Sequence, residues 1–375
     1  MAKYHIAWLP GDGVGHDVMD AAKIVLDTVN LDAEYIPGDI GWEFWKNEGN
    51  PLPDRTLEML KKTDCALFGA ITSKPAADAQ NDLIPELRKK GIVYSSAIVR
   101  LRQEFNLHTN MRPCKAYPGN PLNYRDDIDL VVFRENTEGL YAGVEFGPPT
   151  PEVFNALLVH KKMKKFEKTP LEDLAISCRV FTRKACQNIV RQAFEYAKEH
   201  NRKSVTLVEK PNVIRITSGM MVEEARKIAK EYPNIEFWEV NVDAMCMWLV
   251  KNPQDYDVLV ASNMFGDIIS DLAAQIVGGL GFAASGNIGD NYAIFEPTHG
   301  SAPKYAGQYK VNPTAMIRSV KLMLDWLGEK KDGENLDKAI AQVIKEGKVK
   351  TYDMGGNSST LEVAEEIAKK FKEIN

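Results

Sequence analysis

Asp267 and Asp271 stand four residues apart in Ser262-Asn-Met-Phe-Gly-Asp-Ile-Ile-Ser-Asp271, and a third aspartate, Asp243, lies upstream. The segment reads as a helix opening after Gly266, and helical spacing puts both carboxylates on one face. Like charges held side by side repel, so a bound cation is their natural complement. Every candidate donor is an oxygen, with no Cys or His interleaved, which points to Mg²⁺ or Mn²⁺ rather than zinc. The alternative is a solvated acidic pair in a first helical turn, favoured by the helix dipole. The apolar run Val258-Leu-Val-Ala261 comes just before. The acids therefore sit where a buried strand gives way to a helix, the edge at which open α/β sheets bind ligands.

Three arginines could face that edge. Arg102 lies on the helical stretch Ser95 to Phe105, Arg112 follows the strand-like Leu107 to Met111, and Arg134 ends the buried strand from Asp129. Single arginines are usually solvated, but three at a helix face and two strand ends can converge on a polyanion, because guanidinium pairs bidentately with carboxylate. Tyr141 follows shortly after, in a turn where tyrosine more often packs than titrates. Lys210 ends the strand Ser204 to Glu209, as an ordinary surface group or as a base whose pKa burial lowers.

The elements that position these residues alternate strand and helix. Tyr4 to Leu9 is a strand, Pro10-Gly-Asp-Gly-Val-Gly15 a glycine turn, and Val18 to Val29 a helix. The turn is one residue short of a dinucleotide fingerprint, so a ligand-free β–α turn is as good a reading. Cys65 to Ala70 is a strand whose tip offers Thr72 and Ser73, and residues 74–91 read as an irregular surface insertion. The lysine-rich stretch within 145–175 reads as a protruding arm, Ala175 to Val180 as a strand, Arg183 to His200 as a helix, and Ile235 to Val240 as a strand. A long polar loop from Phe295 to Pro313 precedes C-terminal helices from Thr314 and over 360–374.

The chain of 375 residues, 44% hydrophobic and 26% charged, is long enough for two packed domains. Net charge is −5 with acids and lysines interspersed, which argues against nucleic acid as a partner. There is no membrane-length apolar run, and the N-terminus enters a strand directly, so neither a membrane span nor a signal peptide is expected. Five scattered cysteines fit reduced thiols in a cytoplasmic protein.

In order along the chain come Leu9-Pro-Gly-Asp-Gly-Val-Gly15, Leu101-Arg102 with Arg112-Pro113, Arg134-Glu-Asn-Thr-Glu-Gly-Leu-Tyr141, Lys210-x-Asn212, Asp243, Gly266-Asp267-Ile-Ile-Ser-Asp271, and the loop Glu296 to Asn312. Over nearly the whole length this series resembles the β-decarboxylating dehydrogenases that act on isocitrate, 3-isopropylmalate and homoisocitrate. The resemblance implies a two-domain α/β fold that is not a Rossmann fold. Its large cofactor domain would be discontinuous, residues 1–107 and 278–375, with a small dimerisation domain at 108–277.

It further implies oxidative decarboxylation of a 2-hydroxy acid bearing a β-carboxylate. Asp267 and Asp271, with Asp243 from the other subunit of a homodimer, would hold Mg²⁺ or Mn²⁺. Arg102, Arg112 and Arg134, with Ser96, Ile98 and Asn212, would bind the substrate. Lys210 of the partner subunit would act as base and Tyr141 as acid. Thr72, Glu296, His299, Gly300, Ala302, Lys304, Tyr305, Val311, Asn312 and Tyr352 would hold the nucleotide. Lys304-Tyr305 after His299-Gly-Ser-Ala-Pro303, together with Tyr352, favours NADP, with NAD possible; Gly356 departs from the arginine of NADP-type relatives. Isocitrate is the expected substrate, with 3-isopropylmalate suggested by apolar Ile98-Val99. A non-catalytic regulatory subunit is the alternative of another class, disfavoured because Tyr141, Lys210 and all three aspartates are present.

Overall fold

The computed structural model describes residues 2–375. Its strands are β1 (Tyr4–Gly11), β2 (Ala33–Pro37), β3 (Cys65–Ala70), β4 (Thr109–Lys115), β5 (Asp129–Glu135), β6 (Glu145–Phe146), β7 (Ile176–Ser177), β8 (Ser204–Glu209), β9 (Glu236–Asn241), β10 (Val258–Ala261), β11 (Ala284–Ile288) and β12 (Ala293–Pro297). Ten of them form one sheet in the order β2-β1-β3-β12-β11-β4-β5-β10-β8-β9. Most neighbours are parallel, but β4 and β11 run against each other and against their outer partners β5 and β12. Runs such as Cys65–Ala70 and Val258–Ala261 are buried on both faces, as a helix-covered parallel sheet requires.

Helices cover the two ends of the sheet separately. One core packs Val14–Val29, Thr314–Trp326, Lys330–Glu346 and Thr360–Ile374 around Phe282 and Phe295. Another packs Arg183–Glu199 and Thr217–Ala229 around Val131, Val205 and Val260. The antiparallel strands β4 and β11 lie between them.

Several expectations need correction. Residues 74–91 are not irregular: Ala76–Asp82 and Pro85–Arg88 are helical, and Ala79 and Leu83 bury against Trp42 and Trp45. Of the expected strand Ala175 to Val180, only Ile176–Ser177 forms a strand, paired with Glu145–Phe146 in a separate two-stranded ribbon, while Val180 makes an isolated bridge to Gly139. Arg112 lies in the middle of β4 rather than at a strand end. The helix bearing Asp267 begins at Asn263, with Ser262 at its N-cap, so neither acid is in the first turn and the dipole reading loses its basis.

Candidate active site

The helix Asn263–Gln275 leaves the end of β10 and lies against β5. Gly266 permits the approach: a β-carbon there would come 2.7 Å from Cβ of Arg134. Asp267 and Asp271 follow on one face, and the arginines meet them. Arg134 donates from Nη1 to Oδ1 of Asp267 at 2.5 Å, while its Nε and Nη2 hold Oδ1 of Asn263. Arg112 donates from Nη1 to Ser270 at 2.8 Å and to Asp271 at 3.0 Å, and from Nε to Asn110 at 2.8 Å. Arg102 donates only from Nε, to Oδ1 of Asn287 at 3.0 Å. The Tyr141 hydroxyl lies 3.1 Å from Oδ2 of Asp267.

Crowding three guanidinium groups in a dry cleft is costly unless an anion joins them. Burial pulls the pKa of Arg134 down to about 9, and repulsion from Arg112 and Arg102 adds to it. Burial likewise lowers Arg102, against the attraction of Glu296. Burial raises the Tyr141 phenol, and the neighbouring Asp267 carboxylate raises it further, so Tyr141 keeps its proton. An anion with several carboxylates is the chemical complement of such a cluster.

Ser96 sits at the N-cap of Ala97–Glu104 with its side chain not used in the cap. Ile98 leans into the core beside Leu101 and Phe68, whereas Val99 is exposed. Lys210, Asn212 and Asp243 are not in the cluster: Lys210 donates to Asp243 at 2.5 Å, and Asn212 is exposed on the Lys210 loop. Among the described residues no three His, Cys, Asp or Glu side chains gather as a metal site. Asp267 and Asp271 thus offer oxygen donors that fit Mg²⁺ or Mn²⁺ in kind.

A cavity of about 320 Å³ is lined by His299, Gly300, Ala302, Tyr305, Val311, Asn312 and Tyr352. These are seven of the ten residues expected to hold nucleotide; Val14, Leu280, Gly281 and Asp353 also line it and were not foreseen. The Tyr305 and Tyr352 rings lie 5.8 Å apart on its wall. Nδ1 of His299 faces the Gly300 carbonyl at 3.0 Å, which makes it the donor and Nε2 the acceptor. That Nε2 is buried without a partner. Aromatic walls with an unmet polar atom fit a nucleotide. Lys304 is exposed outside this wall, its Nζ 4.8 Å over the Tyr305 ring. Thr72 bonds Ser301 at 2.7 Å, and Glu296 turns instead toward Asn287 and Arg102.

The glycine turn proves to be a junction. β-Carbons at Gly11 and Gly13 would lie 1.9 Å from the Ala70 carbonyl and 2.1 Å from that of Ser301. At its centre Asp12 accepts the backbone N–H of Thr72 and of Trp42. The glycines let three loops close on each other, which explains their misfit to a phosphate cradle.

The model of the family described as isocitrate/isopropylmalate dehydrogenase matches residues 5–367. The chain belongs to that family. This dehydrogenase is 42% identical to the 3-isopropylmalate dehydrogenase of Archaeoglobus fulgidus, covering 97% of the chain and 98% of that relative. It is 37% identical to an isocitrate/homoisocitrate dehydrogenase of Thermus thermophilus, covering 99% of each. A crystal structure of isocitrate dehydrogenase from Methylococcus capsulatus superposes with a TM-score of 0.85 at 38% identity, covering 98% of the dehydrogenase and 99% of that chain. The expectation of an α/β fold like that of the isocitrate/isopropylmalate dehydrogenases holds, and the structure adds that its sheet is large and mainly parallel; the dehydrogenase is an enzyme of the β-decarboxylating class. No described helix is long and apolar enough to cross a membrane.

Proposed function

We propose that the enzyme oxidatively decarboxylates isocitrate to 2-oxoglutarate with NADP and Mg²⁺ or Mn²⁺, as a cytoplasmic homodimer with shared active sites. The observation that carries this is the convergence of Arg102, Arg112 and Arg134 beside Asp267, Asp271 and Tyr141. Three cationic groups match a tricarboxylate better than an acid with fewer anionic groups.

A cation bound there would supply Lewis-acid polarisation of the substrate's C2 oxygen, and a bound nicotinamide would supply the hydride acceptor. Asp267 and Asp271, with Asp243 of a second subunit, would hold the cation. The chain's own groups do the rest. The arginines fix the carboxylates and orient the carboxylate to be lost. Lys210 of the second subunit takes the hydroxyl proton, and Tyr141 returns one to carbon after CO₂ leaves. The raised pKa of Tyr141 suits a donor that stays protonated until that moment. Substrate would sit between the two lobes, 1–107 with 278–375 and 108–277.

A second reading, 3-isopropylmalate, is favoured by Val99, an exposed apolar residue on the helix of Arg102. Side-by-side kinetics on isocitrate, 3-isopropylmalate and homoisocitrate with Mn²⁺ test the choice. The expected order puts isocitrate first in kcat/KM; a higher value for 3-isopropylmalate overturns it.

A further inference from the structure

Among the described residues Arg102 differs from its two neighbours in having no acceptor within hydrogen-bond distance of either Nη group. Its nearest carboxylate is Glu296, whose Oε1 lies 3.7 Å from Nη2. Both side chains are largely buried, 12% and 14% exposed. In surroundings that dry, guanidinium and carboxylate gain strongly by closing into a bidentate pair. They do not close, and Asn287 bonds to both.

Asn287 lies on β11, fully buried, and its amide serves both charges. Oδ1 accepts from Nε of Arg102 at 3.0 Å, and Nδ2 donates to Glu296 at 2.7 Å. The arginine can only donate and the carboxylate only accept, so the amide has one workable orientation. Oδ1 also receives Nδ2 of Asn110, directly opposite on β4, and Nδ2 of Asn136, each at 3.0 Å. Four side chains therefore clamp the amide, and Asn110 extends the clamp to Nε of Arg112.

We infer that Asn287 is a positioning residue that keeps Arg102 from pairing with Glu296 and so leaves the Arg102 fork open to a substrate carboxylate. The inference rests on the proposed role of Arg102 as a substrate anchor. Without the amide, Glu296 becomes an internal competitor for the site Arg102 offers to substrate.

The test is a rescue. In Asn287→Ala the KM for the hydroxy acid should rise about tenfold or more, with a much smaller change in kcat, as loss of a charge-assisted contact predicts. Adding Glu296→Gln should then lower KM again, by about threefold or more, because the competitor's charge is gone. A purely structural role for Asn287 predicts that the second substitution restores nothing.

Since Asn287 is buried, the near-isosteric Asn287→Asp guards against misfolding. It sets a carboxylate on Arg102, so KM should worsen as pH rises through the new group's titration, a trend absent from the wild type. The inference is overturned if folded Asn287→Ala or Asn287→Asp keeps a KM within about twofold of wild type, or if Glu296→Gln rescues nothing. Calorimetric binding of isocitrate or 3-isopropylmalate in Mg²⁺ makes the same comparison without turnover. Failure of the wild type to oxidise either acid would count against the proposed reaction, while the binding comparison would still decide the role of Asn287.

Discussion

Lys210 donates to Oδ1 of Asp243 at 2.5 Å, and this pair makes no hydrogen bond to Tyr141, Asp267 or Asp271. The proposed base and third metal ligand therefore travel together, apart from the acid and the other two ligands. Val213 and Ile216, beside Lys210, are 68% and 80% exposed, a surface that a second subunit would cover. Tyr141→Phe and Lys210→Met should each be nearly inactive alone. After subunit exchange, random mixing gives half mixed dimers with one intact site of two, or roughly a quarter of wild-type activity in a C2 dimer. No recovery after exchange is verified would remove the shared site.

Gly266 poses opposing forces. Alanine is the better helix former by about 1 kcal/mol, so propensity alone predicts that Gly266→Ala stabilises the chain. Packing predicts the reverse, since the new carbon would meet Cβ and Cγ of Arg134 at 2.7 Å. Overpacking costs about 1–3 kcal/mol, so the net effect should be a melting temperature lower by a few degrees and a reduced kcat as Asp267 shifts. An unchanged or higher melting temperature with full activity would show that the contact relaxes freely.

Much of this was legible in the chain because it depends on local pattern. Apolar runs such as Val258–Ala261 marked buried strands, and the spacing of Asp267 and Asp271 put them on one helical face. The helix start was misread because the helix already begins at Asn263, ahead of Gly266, so the glycine reflects tertiary approach rather than the opening of a helix. Ala79 and Leu83 hid inside a polar stretch, since one buried residue per turn leaves little periodicity. The amides Asn110 and Asn287 were invisible for a deeper reason. Their partners are set by antiparallel register across β4 and β11, which no single segment encodes. The split between Asp243 and the other two acids was not legible from residues alone and was expected only from the family resemblance.

His299 gives a pH test away from the acidic cluster. Burial lowers its pKa, so the native state resists protonation. The unfolded chain takes the proton near pH 6.5. Between that pH and the lower native pKa the unfolded state binds more protons, so stability rises with pH and is lost as pH falls. Wild type should lose melting temperature from pH 7 to 5 more steeply than His299→Gln. Equal slopes in the two proteins would mean that His299 is not held neutral.

The proposed preference for NADP rests on groups beside the cavity. NADP carries a 2′-phosphate that needs a cation and a donor, and Lys304 beside the Tyr305 and Tyr352 rings can supply both. A charged hydrogen bond contributes roughly 1.5–3 kcal/mol, about ten- to a hundredfold in preference. Lys304→Asp with Tyr305→Ile should therefore move kcat/KM toward NAD by about that factor. Gly356 shows why the arginine of NADP-type relatives cannot simply be added: a β-carbon there would lie 2.1 Å from the Lys350 carbonyl and 2.6 Å from its Cβ. Gly356→Arg should lower the melting temperature without strengthening NADP binding, because the backbone must move before any guanidinium reaches the cavity. A Gly356→Arg protein that melts like the wild type and binds NADP more tightly would refute that account. A wild type that uses NAD better than NADP at equal concentration would refute the role given to Lys304.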